Sequence, residues 1–306
     1  MNRGESSFFR NSTHPSWESG MEHSLEQQPS TDCVLRLPKE GLFGVADGKA
    51  GSKEAAQVVL TEAVEGLGNR FDETLNRLRA RGFSDAQIAV SVSMAMNGLF
   101  QRAHAALRGQ ARDGRPVLAT GTVAKLHAFP DGTKYLYLGH VGDTRAWRFV
   151  PEDSGGRLER LTTDDSQLTR WVAEGKITTA EAESVEQYRS KTELSGPYGA
   201  ELPAAAGRLH NILGHEQPFS VQFLAEPLSE KDIIILTNNR VHGNMTPDEI
   251  RQIAALPLSD DAVAKQLQKT AEEIGRRAPG THGRDRRMAG DAAAVVVRVG
   301  EWRPRS

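Results

Sequence analysis

Residues 41–56 read GLFGVADGKAGSKEAA, and the interpretation of the whole chain starts from this stretch. The apolar run at 42–46 predicts a buried strand. An Asp-Gly pair follows it, which is typical of a turn. Ser52 can then accept a hydrogen bond from the backbone at the start of a helix that continues past residue 56. The stretch therefore predicts a strand, a turn and a helix in succession.

Similar patterns lie on both sides of this stretch. The run CVLRL at 33–37 is separated from it by Pro-Lys-Glu-Gly, which predicts a β-hairpin or strand pair. Further strands are predicted at 119–129, 134–141, 145–150, 221–228, 232–237 and 292–299. Helices are predicted at 84–108, with Ile88, Val92, Met96 and Leu99 on one face, and at 166–190, 248–256 and 260–276. Loops are predicted at 191–218 and 278–290.

Strands joined by tight hairpins favour antiparallel sheets, and helices that follow groups of strands favour helical layers outside them. The pattern leaves open whether there are one or two sheets.

The composition is that of an ordinary globular protein. The 306 residues are 38% hydrophobic and 25% charged, with a formal net charge of −2. A chain of this length can bury a sizeable core, and the balanced charge gives no basic field that would attract nucleic acid. The one cysteine, Cys33, excludes an internal disulfide and is predicted to be a small buried residue at the start of a strand.

The first twenty residues are polar and lack the apolar segment of a secretory signal. No stretch approaches the roughly 18 apolar residues that a membrane helix needs. We therefore expect a soluble, cytoplasmic protein that binds neither membranes nor nucleic acid.

Acidic residues stand at the edges of three of the apolar runs. Asp47 follows the first, Asp143 follows LGHVG, and Asp291 precedes AAAVVVRV. Carboxylates gathered at strand ends repel one another unless a cation lies between them, and Mg²⁺ and Mn²⁺ take such oxygen ligands. The alternative is that each acid belongs to a turn, a cap or a protected strand edge. Both interpretations stay open on spacing alone.

Six segments, in order, resemble the motifs of the metal-dependent type 2C (PPM-type) Ser/Thr protein phosphatases, especially the bacterial members. They are GLFGVADGKAGSKEAA (41–56), VLATGTVAKLHA (117–128), YLGHVGDTRAWRF (137–149), LTTDDSQLTRWVAEGKITTAEA (161–182), DIIILTNNRVHGNMTPDEI (232–250) and GDAAAVVVRV (290–299). The resemblance divides the chain into a polar arm at 1–20, a PPM-type phosphatase-like domain at 21–300 and a tail at 301–306. It implies an α+β fold, a four-layer αββα sandwich of two antiparallel sheets flanked by helices.

The resemblance also implies a chemistry and a set of residues. In the family, a water activated by two Mn²⁺ or Mg²⁺ ions hydrolyses phosphoserine or phosphothreonine on a protein. Asp47 matches the carboxylate that bridges both metals, and Asp291 matches the last metal-binding Asp, so these two are the predicted catalytic residues. The carbonyl of Gly48 matches a backbone ligand and Asp143 a ligand of a third metal. Glu22 matches the first acid of an N-terminal acidic pair.

Several positions depart from the family pattern. The Asp-Gly pair that follows DIIILT in the family is here Asn239-Arg240, so this predicted ligand is an amide without negative charge. The remaining departures are His23 for the second acid of the pair, Gly243 for a later Asp, Ala292 for the Asn after the last Asp, Glu18 for a phosphate-binding Arg, and Lys49 for a His.

These departures leave two functional hypotheses. The sequence favours an enzyme, a metal-dependent protein phosphatase of weakened activity, in which Lys49 or Arg240 grips the substrate phosphate. The alternative role for both residues is a solvated surface charge. The other hypothesis is a catalytically inactive pseudophosphatase that serves as a binding or regulatory module. The expected partner is a phosphoprotein. The arginines at 284, 286 and 287 form either a solvated loop or a patch that docks a phosphopeptide.

Overall fold

The computed structural model describes residues 32–49, 52–68, 70–111, 114–153, 155–188, 201–276 and 291–303. These residues form nine strands: β1 (Asp32–Leu37), β2 (Leu42–Gly48), β3 (Ala119–Ala128), β4 (Lys134–Val141), β5 (Arg145–Val150), β6 (Arg157–Arg160), β7 (Gln222–Leu228), β8 (Ile233–Thr237) and β9 (Ala294–Arg298). The described helices are α1 (Lys53–Leu67), α2 (Phe71–Ala80), α3 (Asp85–Gly109), α4 (Gln167–Ala173), α5 (Thr179–Tyr188), α6 (Leu202–Ala206), α7 (Asn239–Asn244), α8 (Pro247–Ala254) and α9 (Asp260–Arg276).

The strands form two sheets in which all the described pairings are antiparallel. The first sheet has the order β1-β2-β3-β4-β7, and the second has the order β6-β5-β8-β9. Hairpins join β1 to β2, β3 to β4 and β5 to β6, as tight turns between alternating apolar runs predict. The two-sheet arrangement answers the question that the sequence pattern left open.

Three apolar layers separate four layers of secondary structure. Val59 of α1 and Met96 of α3 pack against the outer face of the first sheet. Val45 and Leu236 belong to the layer between the two sheets. Leu267 of α9 belongs to the layer that covers the outer face of the second sheet. The protein is therefore a four-layer αββα sandwich, and the predicted fold class is confirmed.

Glycine allows the helical layer to lie close to the first sheet. A Cβ atom on Gly139 of β4 would lie 2.9 Å from the Phe100 ring and 3.0 Å from the Met96 sulfur. Such distances are shorter than van der Waals contact, so a larger residue would push α3 away from the sheet.

Most of the predicted elements are present. Ser52 accepts a hydrogen bond from the Ala55 amide and caps α1. Cys33 is buried in β1. The predicted helix at 166–190 is two helices, because Gly175 takes a left-handed conformation (φ 69°) after α4 and ends that helix.

The sequence analysis missed the strand β6 and the helices α2, α6 and α7. The predicted loop at 191–218 contains α6 in its described part. The predicted loop at 278–290 and residues 1–31 lie outside the described residues. Within the part of the chain that the structure describes, no helix combines the length and the apolar character needed to span a membrane.

Candidate active site at one end of the sandwich

The predicted acidic residues lie where strands of both sheets end. Asp47 lies near the end of β2, and antiparallel pairing places Asp32, the first residue of β1, directly opposite it. Asp143 lies in the bend between β4 and β5, and Asn239 begins α7 just after β8. Asp291 precedes β9, which pairs with β8. The topology therefore brings these groups to one end of the sandwich.

Gly142 places Asp143 against the first sheet. Its φ of +101° suits glycine, and a Cβ there would lie 2.2 Å from the Thr120 side chain. The Gly142 amide donates to the Asp165 carboxylate at 2.8 Å. The Asp143 carboxylate then receives a hydrogen bond from the Thr120 hydroxyl at 3.2 Å.

Lys49 extends into the space between Asp47 and Asp143. Its Nζ lies 2.6 Å from Asp47 Oδ2, and 2.9 and 3.2 Å from the two carboxylate oxygens of Asp143. Its backbone amide donates to the Leu118 carbonyl at 2.9 Å, which fixes the base of the side chain. Burial alone would lower the pKa of Lys49, but the charges of Asp143 and Asp47 outweigh it, and the pKa is raised. Lys49 is therefore a charged ammonium that bridges two carboxylates.

Asp32 lies opposite Asp47, and we refer to Asp32, Asp47 and Asp143 as the acidic group. The sequence analysis missed Asp32. Burial and the neighbouring Asp47 carboxylate raise the pKa of Asp32 to about 9, against the lowering effect of Arg240 and of the hydrogen bond from Asn238. Asp32 is therefore protonated near neutral pH, and its side chain is hydrogen-bonded to Asp47. The detectable signal was the hairpin register, because Leu37 opposite Leu42 sets Asp32 opposite Asp47.

Asn238 connects Asp32 with the segment that precedes β9. Its Nδ2 donates to Asp32 Oδ2 at 2.9 Å and to the Asp291 carbonyl at 3.0 Å. Its Oδ1 accepts from the amides of Val241 and Ala293, at 3.2 and 3.0 Å, and so caps α7. The backbone of Asp291 is thus held beside the acidic group.

The next residue, Asn239, is turned toward Asp143. Its Nδ2 donates to Asp143 Oδ2 at 3.0 Å. Its Oδ1 is buried, and no described residue hydrogen-bonds to it. The adjacent Arg240 is half-buried, and its positive charge acts on Asp32.

A second polar group lies behind Asp143 and supports it. The buried Asp164 carboxylate binds Arg145 Nη2 at 2.6 Å and Arg160 Nη2 at 2.7 Å. Burial would raise the pKa of Asp164, but the charges of Arg145 and Arg160 hold it far below its ordinary value. The buried His140 ring hydrogen-bonds to the Thr122 hydroxyl at 2.9 Å. These contacts fix the strands from which the site projects.

The arrangement of these residues does not fit the metal centre that the resemblance implies. Both oxygens of Asp143 accept hydrogen bonds from Lys49, and Asn239 presents an N–H rather than an oxygen to Asp143. Among the described residues, no three His, Cys, Asp or Glu side chains converge where they could hold a metal ion. An ammonium already lies between the carboxylates that would bind the cation and offsets part of their charge.

The predicted site residues thus divide into three groups. Asp47, Gly48, Asp143, Asn239 and Asp291 lie at the same end of the sandwich, but their assignment as metal ligands stays a prediction. Lys49 and Arg240 also lie there, and their phosphate-binding role stays a prediction. Glu22, His23 and the arginines at 284, 286 and 287 lie outside the described residues.

Comparison with solved structures identifies the class of fold. A crystal structure of a bacterial serine phosphatase matches with a TM-score of 0.62 at 14% identity, covering 90% of this chain and 94% of the other. The Mycobacterium tuberculosis serine/threonine phosphatase PstP/Ppp matches with a TM-score of 0.60 at 18% identity, covering 89% and 94%. The catalytic domain of PstP in complex with two manganese ions matches with a TM-score of 0.56 at 18% identity, covering 89% and 92%.

No protein-family model and no curated protein matches the chain. The chain has the fold of the bacterial PPM-type Ser/Thr phosphatases, over about nine-tenths of its length. At identities of 14–18% the likeness extends to the fold, and the activity has to be argued from the site.

Proposed function

We propose that this protein is a pseudophosphatase: a PPM-fold module that binds a phosphoprotein partner without metal-dependent hydrolysis. The observation that carries the proposal is the ammonium of Lys49, which hydrogen-bonds to Asp47 and Asp143. Metal-assisted hydrolysis needs the carboxylates to hold cations that activate a water. Here the same carboxylates are engaged by a side chain of the protein itself.

Arg240 supports the binding part of the proposal. It is half-buried at the start of α7, beside the acidic group, and it replaces a glycine of the family pattern. A guanidinium suits the recognition of phosphate because its donors match the phosphate oxygens. The proposed ligand is a phosphoserine or phosphothreonine side chain on a protein.

A second candidate function is a metal-dependent Ser/Thr phosphatase of reduced activity. Asp47, Asp143 and Asp291 favour it, since all three lie at one end of the sandwich. In that case Mn²⁺ or Mg²⁺ would have to displace Lys49. The manganese complex of PstP makes Mn²⁺ the first ion to test.

Hydrolysis of p-nitrophenyl phosphate in millimolar Mn²⁺ distinguishes the two candidates. The proposal predicts the same background rate for the wild type and for Asp47→Asn, with no decrease when EDTA is added. Turnover by the wild type that requires Mn²⁺ and is abolished in Asp47→Asn would instead establish the phosphatase.

Binding of fluorescent phosphothreonine peptides, measured by polarisation, tests the ligand. We expect binding that persists in EDTA and weakens at least about tenfold in Arg240→Ala, since a charge-assisted contact contributes roughly 1.5–3 kcal/mol. Arg276→Ala, which changes an exposed arginine on α9, is the matched control. Equal binding of phosphorylated and unphosphorylated peptides would rule out phosphate recognition.

A further inference from the structure

Lys49 joins the two sheets at this end of the sandwich, as the hydrogen bond from Asn238 to Asp32 also does. Lys49 follows β2 of the first sheet, and its ammonium contacts Asp47 of the same sheet. It also contacts Asp143, which precedes β5 of the second sheet. A cation in this position holds together carboxylates that would otherwise repel one another.

From these contacts we infer that Lys49 is a tethered counter-ion that excludes divalent cations from a latent metal site. The inference rests on the proposed function, which it deepens by naming what keeps the site inactive. Because Lys49 belongs to the same chain, its ammonium stays at high local concentration at any dilution of the protein. An external cation must break three short contacts before it can reach the same oxygens.

Two of the latent ligands, Asp47 and Asp143, already contact the ammonium. Without the Lys49 ammonium, Asp47 Oδ2 and both carboxylate oxygens of Asp143 would each lose one hydrogen-bond donor. Each oxygen could then accept a cation in its place. The Oδ1 atom of Asn239, whose Nδ2 donates to Asp143, is buried and is not hydrogen-bonded by any described residue. Carboxylate and amide oxygens of this kind suit Mn²⁺ and Mg²⁺. Asn239→Asp would add the negative charge that the amide lacks.

Lys49 is suited to this role by its degree of enclosure. Only 21% of its side chain is exposed, so the ion pairs are poorly screened by solvent and salt. The Asp47 and Asp143 side chains are 5% and 11% exposed. Two carboxylates enclosed to this degree need a cation nearby. We therefore expect the site to accept a divalent ion when Lys49 is replaced by an uncharged residue.

Calorimetric titration with MnCl₂ tests the inference on four proteins: wild type, Lys49→Met, Lys49→Met/Asn239→Asp and, as the matched control, Lys39→Met. Lys39 is exposed in the turn between β1 and β2. We expect no binding below about 1 mM for the wild type and the control. We expect Lys49→Met to bind at least about tenfold more tightly and the double variant at least about tenfold more tightly again, since each step changes the local charge in favour of the cation.

Thermal unfolding provides the second readout. Lys49→Met should melt roughly 5 °C below the wild type without metal, because two enclosed carboxylates lose their counter-ion. Millimolar Mn²⁺ should restore part of that loss in Lys49→Met and leave the wild type unchanged. If Lys49→Met does not fold, Lys49→Gln, which keeps a hydrogen-bond donor without the charge, takes its place.

The outcomes separate this inference from the proposed function. If Lys49→Met, the double variant and the wild type all fail to bind Mn²⁺, the inference about Lys49 is wrong. The proposed pseudophosphatase function is not affected by that result. Tight Mn²⁺ binding by the wild type overturns the inference as well, and the turnover assay then decides whether the proposed function also fails.

Discussion

Two enclosed lysines, Lys49 and Lys125, lie in different parts of the first sheet and are paired differently. Lys49 Nζ contacts two enclosed carboxylates at the end of the sandwich. Lys125 on β3 is fully buried, and its Nζ contacts one carboxylate, Asp72 of α2, at 2.7 Å, together with the Glu40 carbonyl. The Asp72 side chain is 38% exposed and also hydrogen-bonds to His127 at 2.6 Å.

The pKa shifts of the two lysines have opposite directions. Burial lowers the pKa of Lys125, and the Asp72 carboxylate, with a weaker contribution from the charge of Glu40, offsets that effect only in part. Burial acts the same way on Lys49, but Asp143 and Asp47 together reverse it. An enclosed ammonium is therefore costly beside one half-exposed carboxylate and stabilising between two enclosed ones. This difference marks Lys49 as a counter-ion required by its surroundings and Lys125 as a group that its surroundings tolerate.

The largest effect on stability is expected for Lys49→Met. Asp47 and Asp143 would be left enclosed without a cation, and breaking a buried pair in this way costs about 3–5 kcal/mol in the free energy of unfolding. Urea denaturation at neutral pH measures it, with Lys39→Met as the control for loss of a lysine charge. A cost no larger than that of Lys39→Met would show that the two carboxylates do not depend on the ammonium.

A smaller effect, about 2 kcal/mol, is expected for Asp72→Asn, since Lys125 keeps only neutral hydrogen-bond partners. The cost should decrease as the pH rises. The pKa of Lys125 in the folded protein lies below its ordinary value of 10.5, so the folded state binds fewer protons than the unfolded state in the alkaline range beneath 10.5. Stability due to this group therefore increases with pH in that range. Loss of the Asp72 charge lowers the pKa of Lys125 further, so the variant gains more stability with pH than the wild type and its cost decreases. Urea denaturation at neutral and at alkaline pH measures the change, and a cost that grows with pH would contradict the account.

The smallest effect is expected for Lys125→Met. An apolar side chain suits the buried position, and Asp72 keeps its contact with solvent and with His127. We expect a cost of about 1 kcal/mol or less. The variant should also lose the alkaline rise in stability, which the difference between its denaturation curves and those of the wild type reveals. A cost equal to that of Lys49→Met would remove the distinction between the two lysines.

Much of the fold was predictable because its strands are short apolar runs bounded by turn residues, and several of them are buried along all or nearly all of their length. The runs at 134–141 and 145–150 coincide with β4 and β5. The missed helix α2 does carry helical periodicity, since Phe71, Leu75 and Leu78 pack against the same apolar layer. The sequence analysis overlooked this signal because the rest of the helix is polar. Helix α7 is short, and its start depends on the Asn238 cap rather than on an apolar pattern.

The site was predictable in location and less so in content. Asp47, Asp143 and Asp291 could be predicted as site residues because each lies at the end of a strand. Strand ends at the same end of the sandwich lie close together in space. Asp32 required the hairpin register, which propensity does not specify. The direction of the Lys49 side chain depends on residues 94 positions away in the chain, and a local pattern cannot predict a contact of that kind.

A crystal structure of the wild type grown in millimolar Mn²⁺, with anomalous diffraction data, tests the central claim most directly. The account predicts no anomalous peak between Asp47 and Asp143, with Lys49 Nζ within hydrogen-bond distance of both carboxylates. Manganese peaks at these carboxylates, with Lys49 displaced from them, would contradict it.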